Sequence, residues 1–144
     1  MKRFAIACSL LVLGFAGFAW ADEKALKELE GKYAVTHLEK EGKVAEKAKV
    51  DTVKITISGN ELIVLIETKD EKQERKATIK ADATKTPHTI DIMPSEGDAK
   101  GKTFPGIYKI EKGEVTLAFT EEGDRPKDFK AEDKTMLVKM KKAK

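Results

Sequence analysis

Short apolar segments in strict alternation with polar residues recur along most of the chain, and they restrict it to an all-β fold. In the clearest of them, Val53, Ile55 and Ile57 alternate with polar side chains. A period of two places the apolar residues on one face of a β-strand and the polar residues on the other. Gly59 and Asn60 follow directly, and both tolerate the positive φ that tight hairpin turns need. The pattern therefore predicts a half-buried strand followed by a hairpin.

Seven further segments have the composition of strands, and turn signals separate them. They lie at 33–37, 62–66, 77–81, 88–92, 107–110, 115–119 and 136–140. The stretch 69–76 is charged and contains no apolar residue, so it predicts a turn. The longest connection between predicted strands is 121–133. Successive hairpins favour an antiparallel up-and-down barrel of about eight strands, because closure removes the exposed edges of an open sheet.

One short helix is predicted before the first strand. Leu26 and Leu29 lie three residues apart among charged residues, which is typical of one or two helical turns with a narrow apolar edge. We expect this helix to plug one end of the barrel. The uninterrupted apolar run 62–66 predicts a strand that is covered on both faces, and the helix is the candidate cover.

The first 21 residues have the three parts of a secretory signal peptide. A basic start is followed by an apolar run and then by Ala19-Trp20-Ala21, whose small residues favour cleavage after Ala21. An uncleaved anchor is the alternative, and Cys8 lies too close to the basic start to predict a lipid anchor. We expect an exported protein, periplasmic or extracellular, with residues 22–144 as one domain.

Charged residues are abundant beyond the predicted leader but nearly balanced. Lys2 and Arg3 are two of the 28 basic residues, so the remainder carries 26 basic against 25 acidic residues. Because the two signs are interspersed, they indicate a solvated surface and no footprint for nucleic acid. The lysine-rich segment 139–144 could touch an anionic surface, but the pattern favours a frayed, solvated tail.

Four short motifs follow one another along the chain: Leu29-x-Gly31-x-Tyr33, Thr86-Pro87-x-x-Ile90-Asp91, Gly106-Ile107-Tyr108 and Arg125-Pro126-x-x-Phe129. In this order they resemble an uncharacterised conserved domain of exported planctomycete proteins. The resemblance covers nearly all of the chain beyond the leader, although Tyr33 stands where that family usually has Trp. It implies architecture and compartment, and no reaction. The residues it marks as structural are Gly31, Tyr33, Pro87, Asp91, Gly106, Tyr108, Arg125, Pro126 and Phe129.

The opening Gly-x-aromatic motif also resembles the Gly-x-Trp signature of lipocalins. In that family a late arginine packs over the aromatic ring and closes the barrel. The resemblance therefore implies a lipocalin-like barrel in which Arg125 stacks on Tyr33, a cation–π contact of about 0.5–2 kcal/mol. The alternative is that Arg125 and Pro126 form an exposed turn.

Two histidines fall on the apolar parity of their predicted strands, His37 and His88. Together they could hold a metal or haem, but a tight site needs further protein ligands and the only cysteine lies in the leader. We therefore predict no metal and no cofactor, with each histidine bonded to backbone or water.

The chain carries no catalytic signature. It lacks a Gly-x-Ser-x-Gly elbow and a glycine-rich phosphate loop. Asp91 is the one carboxylate within a family-like motif, and we expect it to accept hydrogen bonds from a neighbouring turn, with a ligand contact or acid–base role as alternatives. The sequence therefore favours a protein that is not an enzyme.

Two functions remain open. The first is an exported binding module that holds a small apolar ligand in the mouth of the barrel. The second is a structural or protein-interaction domain of the cell envelope with a solid core. An eight-stranded barrel is compatible with both, because its interior is just filled by side chains or holds one small ligand. Neither ligand, envelope partner nor oligomeric state follows from the sequence.

Overall fold

The computed structural model describes residues 23–132 and 134–143. The predicted leader, its cleavage site and Cys8 therefore lie outside the described residues. The elements in chain order are α1 (Glu23–Leu29), β1 (Gly31–Lys40), β2 (Lys43–Val44), α2 (Lys47–Val50), β3 (Val53–Ser58), β4 (Glu61–Glu67), β5 (Lys72–Asp82), β6 (His88–Pro94), β7 (Phe104–Glu111), β8 (Glu114–Thr120) and β9 (Thr135–Lys142).

The strands form a closed antiparallel barrel. From β3 to β9 each strand pairs with the next, and β1 pairs with both β3 and β9. Eight strands therefore close the ring, and β2 is an extra two-residue strand that folds back on the end of β1. This arrangement confirms the predicted all-β, up-and-down barrel with a short N-terminal helix. No strand or helix was predicted for the β2–α2 segment, because it is short and its charged and apolar residues follow no clear period.

The predicted turn at 69–76 is wrong for most of its length. β5 begins at Lys72, which pairs with Glu67 at the end of β4. Its first five residues are exposed on both sides. Backbone hydrogen bonds to β4 hold this segment extended, and both sides are wet at the end of the barrel, so no apolar alternation marks it in the sequence.

The predicted solvated tail is also wrong, since β9 continues to Lys142. Lys139 pairs with His37, and Lys141 pairs with Ala34. Pairing with β1 on one side and β8 on the other holds these lysines on a regular strand, and Lys144 lies outside the described residues. Sequence reasoning missed this because the lysines carry no local signal for a partner strand.

The interior of the barrel is filled by one core cluster that extends from α1 to β9. Tyr33, Ile79, Tyr108 and Met140 are each no more than 1% exposed. Burial of each such side chain stabilises the folded protein by roughly 1.5–3 kcal/mol relative to leaving it exposed. The centre of the barrel is therefore a packed core.

Helix α1 covers the end of the barrel at which β1 begins. Its Leu26 and Leu29 are buried in the core, as predicted, and Ala25 is buried with them. The predicted cover for the run 62–66 is wrong, because α1 packs against β5. In β4 only Leu62 is buried. The outward Ile63 and Leu65 stay half-exposed opposite Lys76 and Lys54, whose aliphatic stems can shield them without a second layer.

The hydroxyl of Tyr33 ties helix α1 to the barrel by donating to the carbonyl oxygen of Leu29 at 2.6 Å. We expect Tyr33→Phe to lower the free energy of unfolding by about 1 kcal/mol, because it leaves a buried acceptor without its donor. Urea denaturation at pH 7 measures this loss. An unchanged midpoint would contradict the role of this bond.

Burial raises the pKa of the Tyr33 phenol above its ordinary value of 10.0. The unfolded chain therefore releases this proton at a lower pH than the folded protein does. The stability that comes from burying the neutral phenol is complete below pH 10 and is lost as the pH rises through the folded pKa. Stability should fall less steeply above pH 10 in Tyr33→Phe than in the wild type. Because both proteins keep Tyr108, the difference between their pH profiles reports on Tyr33.

Candidate functional site at the open end of the barrel

The end of the barrel opposite α1 is only partly closed. Four half-buried apolar side chains lie there and pack against the core: Leu38, Phe104, Phe119 and Met136. The rings of Phe104 and Phe119 are nearly parallel, with centroids 6.3 Å apart and an interplanar angle of 13°. Two clefts lie next to these side chains at this end of the barrel.

The first cleft lies between the β1–β2 hairpin and the start of β9, and we call it the hairpin cleft. Its volume is about 320 Å³, near the lower end of pockets that hold small molecules. Its apolar walls are Leu38, Val44, Ala45 and Met136, and its charged rim is Lys40, Glu41 and Lys43. Val44 is 60% exposed, the highest value among the large hydrophobic residues that the structure describes. An apolar side chain is therefore held open to solvent at the edge of a largely apolar cleft.

The local sequence explains how Val44 reaches this position. Glu41 and Gly42 both have positive φ and turn the chain back on itself. The amide of Ala45 donates to the carbonyl of Leu38 at 2.7 Å, which extends the hairpin by one bond. This short hairpin places Val44 opposite Glu39 and Ala45 opposite Leu38, and no further strand covers Val44.

A second cleft, of about 330 Å³, shares Lys40 and Glu41 with the hairpin cleft. Apart from Phe104 and Ala99 its lining is charged. Lys40 pairs with Glu121 at 3.6 Å, and Lys134 pairs with Glu122. The pair with Lys134 holds the pKa of the Glu122 carboxyl below its ordinary value. This cleft therefore offers a polar neighbour to the apolar one.

Three of the motif residues meet on the outside of the barrel, in an arrangement unlike the predicted one. The Arg125 guanidinium donates to Asp91 Oδ1 at 2.6 Å, to the Gly106 carbonyl at 2.7 Å and to the Ile90 carbonyl at 3.1 Å. The predicted stacking of Arg125 on Tyr33 is wrong, because Tyr33 points into the core. The prediction that Asp91 binds turn donors is wrong as well, since Asp91 lies within β6 and accepts from Arg125.

Arg125 belongs to the connection between β8 and β9, which lies across the outer face of the barrel. We call residues 121–132 the strap. Beneath it is a small second core, the outer cluster, formed by Ile107, Ala118, Ala131 and Leu137 with Phe129 packed against it. The Lys109 ammonium lies 4.9 Å from the centre of the Phe129 ring. The strap is therefore held by the hydrogen bonds of Arg125, by apolar packing of Phe129 and Ala131, and by the Gly42 amide, which donates to the Ala131 carbonyl at 2.8 Å.

The other motif residues have structural positions. Gly31 begins β1 with φ of 147°, and a Cβ there would lie 3.1 Å from Lys142 Cε. Pro87 immediately precedes β6, and Pro126 is half-buried in the strap. Tyr108 is a core residue of β7 whose ring lies 5.3 Å from that of His88.

The two histidines do not meet. A bulge between Val35 and His37 reverses the parity of β1, so that Leu38 faces the core and His37 faces outward beside Glu39 at 3.2 Å. The inward prediction is thus wrong for His37. His88 packs on Tyr108, and its Nδ1 atom is buried without a hydrogen-bond partner among the described residues. Within 23–132 and 134–143, no three His, Cys, Asp or Glu side chains come together as metal ligands.

Comparison with protein-family models, with curated proteins and with solved structures gave no match to the chain. Among its described helices, none has the length and apolar character needed to cross a membrane.

Sequence reasoning did not find the hairpin cleft. Met136 was predicted as a strand residue, but Val44 and Ala45 lie in a segment with no recognisable period. The available signal was a valine isolated within a charged hairpin, and that signal is weak.

Proposed function

We propose that the protein is an exported, non-enzymatic binding module that holds a small apolar molecule in the hairpin cleft. The exposure of Val44 at the edge of a cleft with apolar walls carries the proposal. Exposure of that side chain to water is unfavourable in free energy. A ligand that covers it would gain about 25 cal/mol of binding free energy for each Å² of apolar surface removed from water. The leader-like first 21 residues support export.

The filled interior supports a ligand at the mouth rather than in the centre. Tyr33, Ile79 and Tyr108 are buried in the barrel interior and line neither of the two clefts described above. A molecule of the size that fits about 320 Å³ would contact Leu38, Val44 and Met136 and leave any polar group near Lys40 and Lys43. Catalysis is not needed to account for this arrangement.

Val44→Ser tests the proposal. We expect it to weaken binding of an apolar fluorescent dye to the exported protein by about fivefold, because roughly 1 kcal/mol of apolar contact is removed. Titration of the dye against each variant measures the change. The matched control is Ile110→Ser, at the other described large hydrophobic residue that is exposed, which is 38% exposed and lies far from the cleft. Equal weakening by both substitutions, or no dye binding by the wild type, would refute the proposal.

A solid interaction domain of the cell envelope is the second candidate, and the packed core favours it. Native mass spectrometry of the protein isolated from its own cells separates the two. The binding module predicts a small adduct that Val44→Ser reduces. The interaction domain predicts a protein-sized adduct that this substitution does not change.

A further inference from the structure

The outer face of β9 and its neighbouring strands is basic. Lys139 and Lys141 point outward, because the residues that alternate with them, Val138 and Met140, are buried in the core. Lys32 projects from the same face of β1, one strand away. We call these three lysines the basic face.

The register of the strands defines the spacing on this face. Residues two apart on one strand lie about 6.7 Å apart, and neighbouring strands lie about 4.8 Å apart. Lys139 is flanked by His37 and Thr116, and Lys141 is flanked by Ala34 and Glu114. The charges are therefore regularly spaced along and across the strands.

The lysines of the basic face differ from others nearby in lacking an ion pair. Lys54 pairs with Glu67 at 3.5 Å and Lys109 with Glu111 at 3.8 Å. Lys32, Lys139 and Lys141 have no acidic side chain within 4.0 Å in the part of the chain that the structure describes. Their charge is thus available to an external anion.

Apart from His37, the residues between the lysines are small. Ala34 and Thr36 are exposed, whereas Thr116 is only 4% exposed and does not protrude. The acidic residues at the edges are Glu39, which is bonded to His37, and Glu114 beside Lys141. The face consequently has net positive charge and mostly small residues between its cations, with the His37 ring held by Glu39 beside Lys139.

We propose that the basic face binds a linear acidic polysaccharide through its carboxylate or sulfate groups. A strand surface with repeated cations suits an extended polymer with repeated anions, since each lysine can meet a separate charge. Single-stranded nucleic acid would need several free aromatic side chains for stacking, and the His37 ring on this face is bonded to Glu39. A bilayer would be favoured by large apolar side chains beside the lysines, and the small residues here supply no such anchor.

The test compares retention of the purified exported protein on immobilised alginate, a polyuronate, at low salt. We expect the wild type to bind and Lys32→Gln/Lys139→Gln/Lys141→Gln to bind about tenfold more weakly, since three exposed contacts of modest strength are lost. Binding of the wild type should weaken as salt is raised. The matched control is Lys69→Gln/Lys100→Gln, which removes exposed lysines from two loops and should leave binding unchanged within twofold.

A charge-conserving variant guards against loss of folding. Lys32→Arg/Lys139→Arg/Lys141→Arg should bind alginate at least as well as the wild type, and thermal melting should show that all variants fold. Equal binding by the glutamine variant overturns the proposal. So does stronger binding of the wild type to phosphatidylglycerol vesicles or to single-stranded DNA than to alginate at the same salt concentration.

Discussion

Gly106→Ala is expected to lower the free energy of unfolding by about 3 kcal/mol, at the upper end for overpacking of a core. An added Cβ would lie 2.7 Å from the carbonyl oxygen of Ala118 and 2.8 Å from the Cβ of Phe119. Neither is the end of a flexible side chain, so β7 and β8 would have to separate locally. The carbonyl of Gly106 also accepts from Arg125 at 2.7 Å, and the same displacement would weaken that bond.

Urea denaturation, with the midpoint and slope compared between variants, measures this effect. The control is Gly113→Ala in the β7–β8 hairpin, where φ is 77° and a Cβ would meet nothing within 4 Å. That control should lose only about 1 kcal/mol through its left-handed backbone. If the two variants lost equal stability, close packing at Gly106 would not be the reason for its glycine.

Arg125→Met should lower the free energy of unfolding by about 2 kcal/mol, because it keeps the apolar stem and removes charge-assisted hydrogen bonds. The Gly106 and Ile90 carbonyls lose a donor, and Asp91 loses its partner. We place the value below the sum of three such bonds since the Arg125 and Asp91 side chains are 35% and 33% exposed, and water partly replaces the lost contacts.

Arg75→Met is the matched control for Arg125, because Arg75 is fully on the surface of β5 and no ion pair is found for it in the described residues. It should change stability by less than about 0.5 kcal/mol. A double-mutant cycle of Arg125→Met with Asp91→Asn should show a coupling of about 1 kcal/mol. Additive losses would mean that the 2.6 Å contact contributes no pairing energy. Arg125→Lys should recover only part of the loss, since a single ammonium cannot reproduce the planar fork.

These two predictions concern one group of residues. Gly106, Asp91 and Arg125 come from three separate motifs and meet where the strap crosses β6 and β7. Gly106 allows the close approach of β8, and its carbonyl then helps to hold the strap. The motif residues therefore account for how the longest connection is fastened to the barrel. The candidate binding site, at the hairpin cleft, uses none of them.

Local pattern determined most of the architecture. Alternation in segments such as that around Val53, Ile55 and Ile57 located seven strands of the ring, and an uninterrupted apolar run located β4. The spacing of Leu26 and Leu29 located the plug helix. These properties follow from the periods of strand and helix, which act over a few residues. They are therefore visible without knowledge of what packs against what.

The tertiary structure alone decided the rest, because each remaining feature depends on residues far apart in the chain. The bulge after Val35 turned His37 outward only because β9 pairs with β1. Arg125 contacts Asp91, 34 residues earlier in the chain, whereas the resemblance to lipocalins had predicted a contact with Tyr33. The closure of β1 on β9 converted an apparent tail into the basic face, and the β1–β2 hairpin opened the cleft at Val44. Sequence periodicity specifies which face of a strand is buried, whereas contacts between strands specify what lies opposite that face.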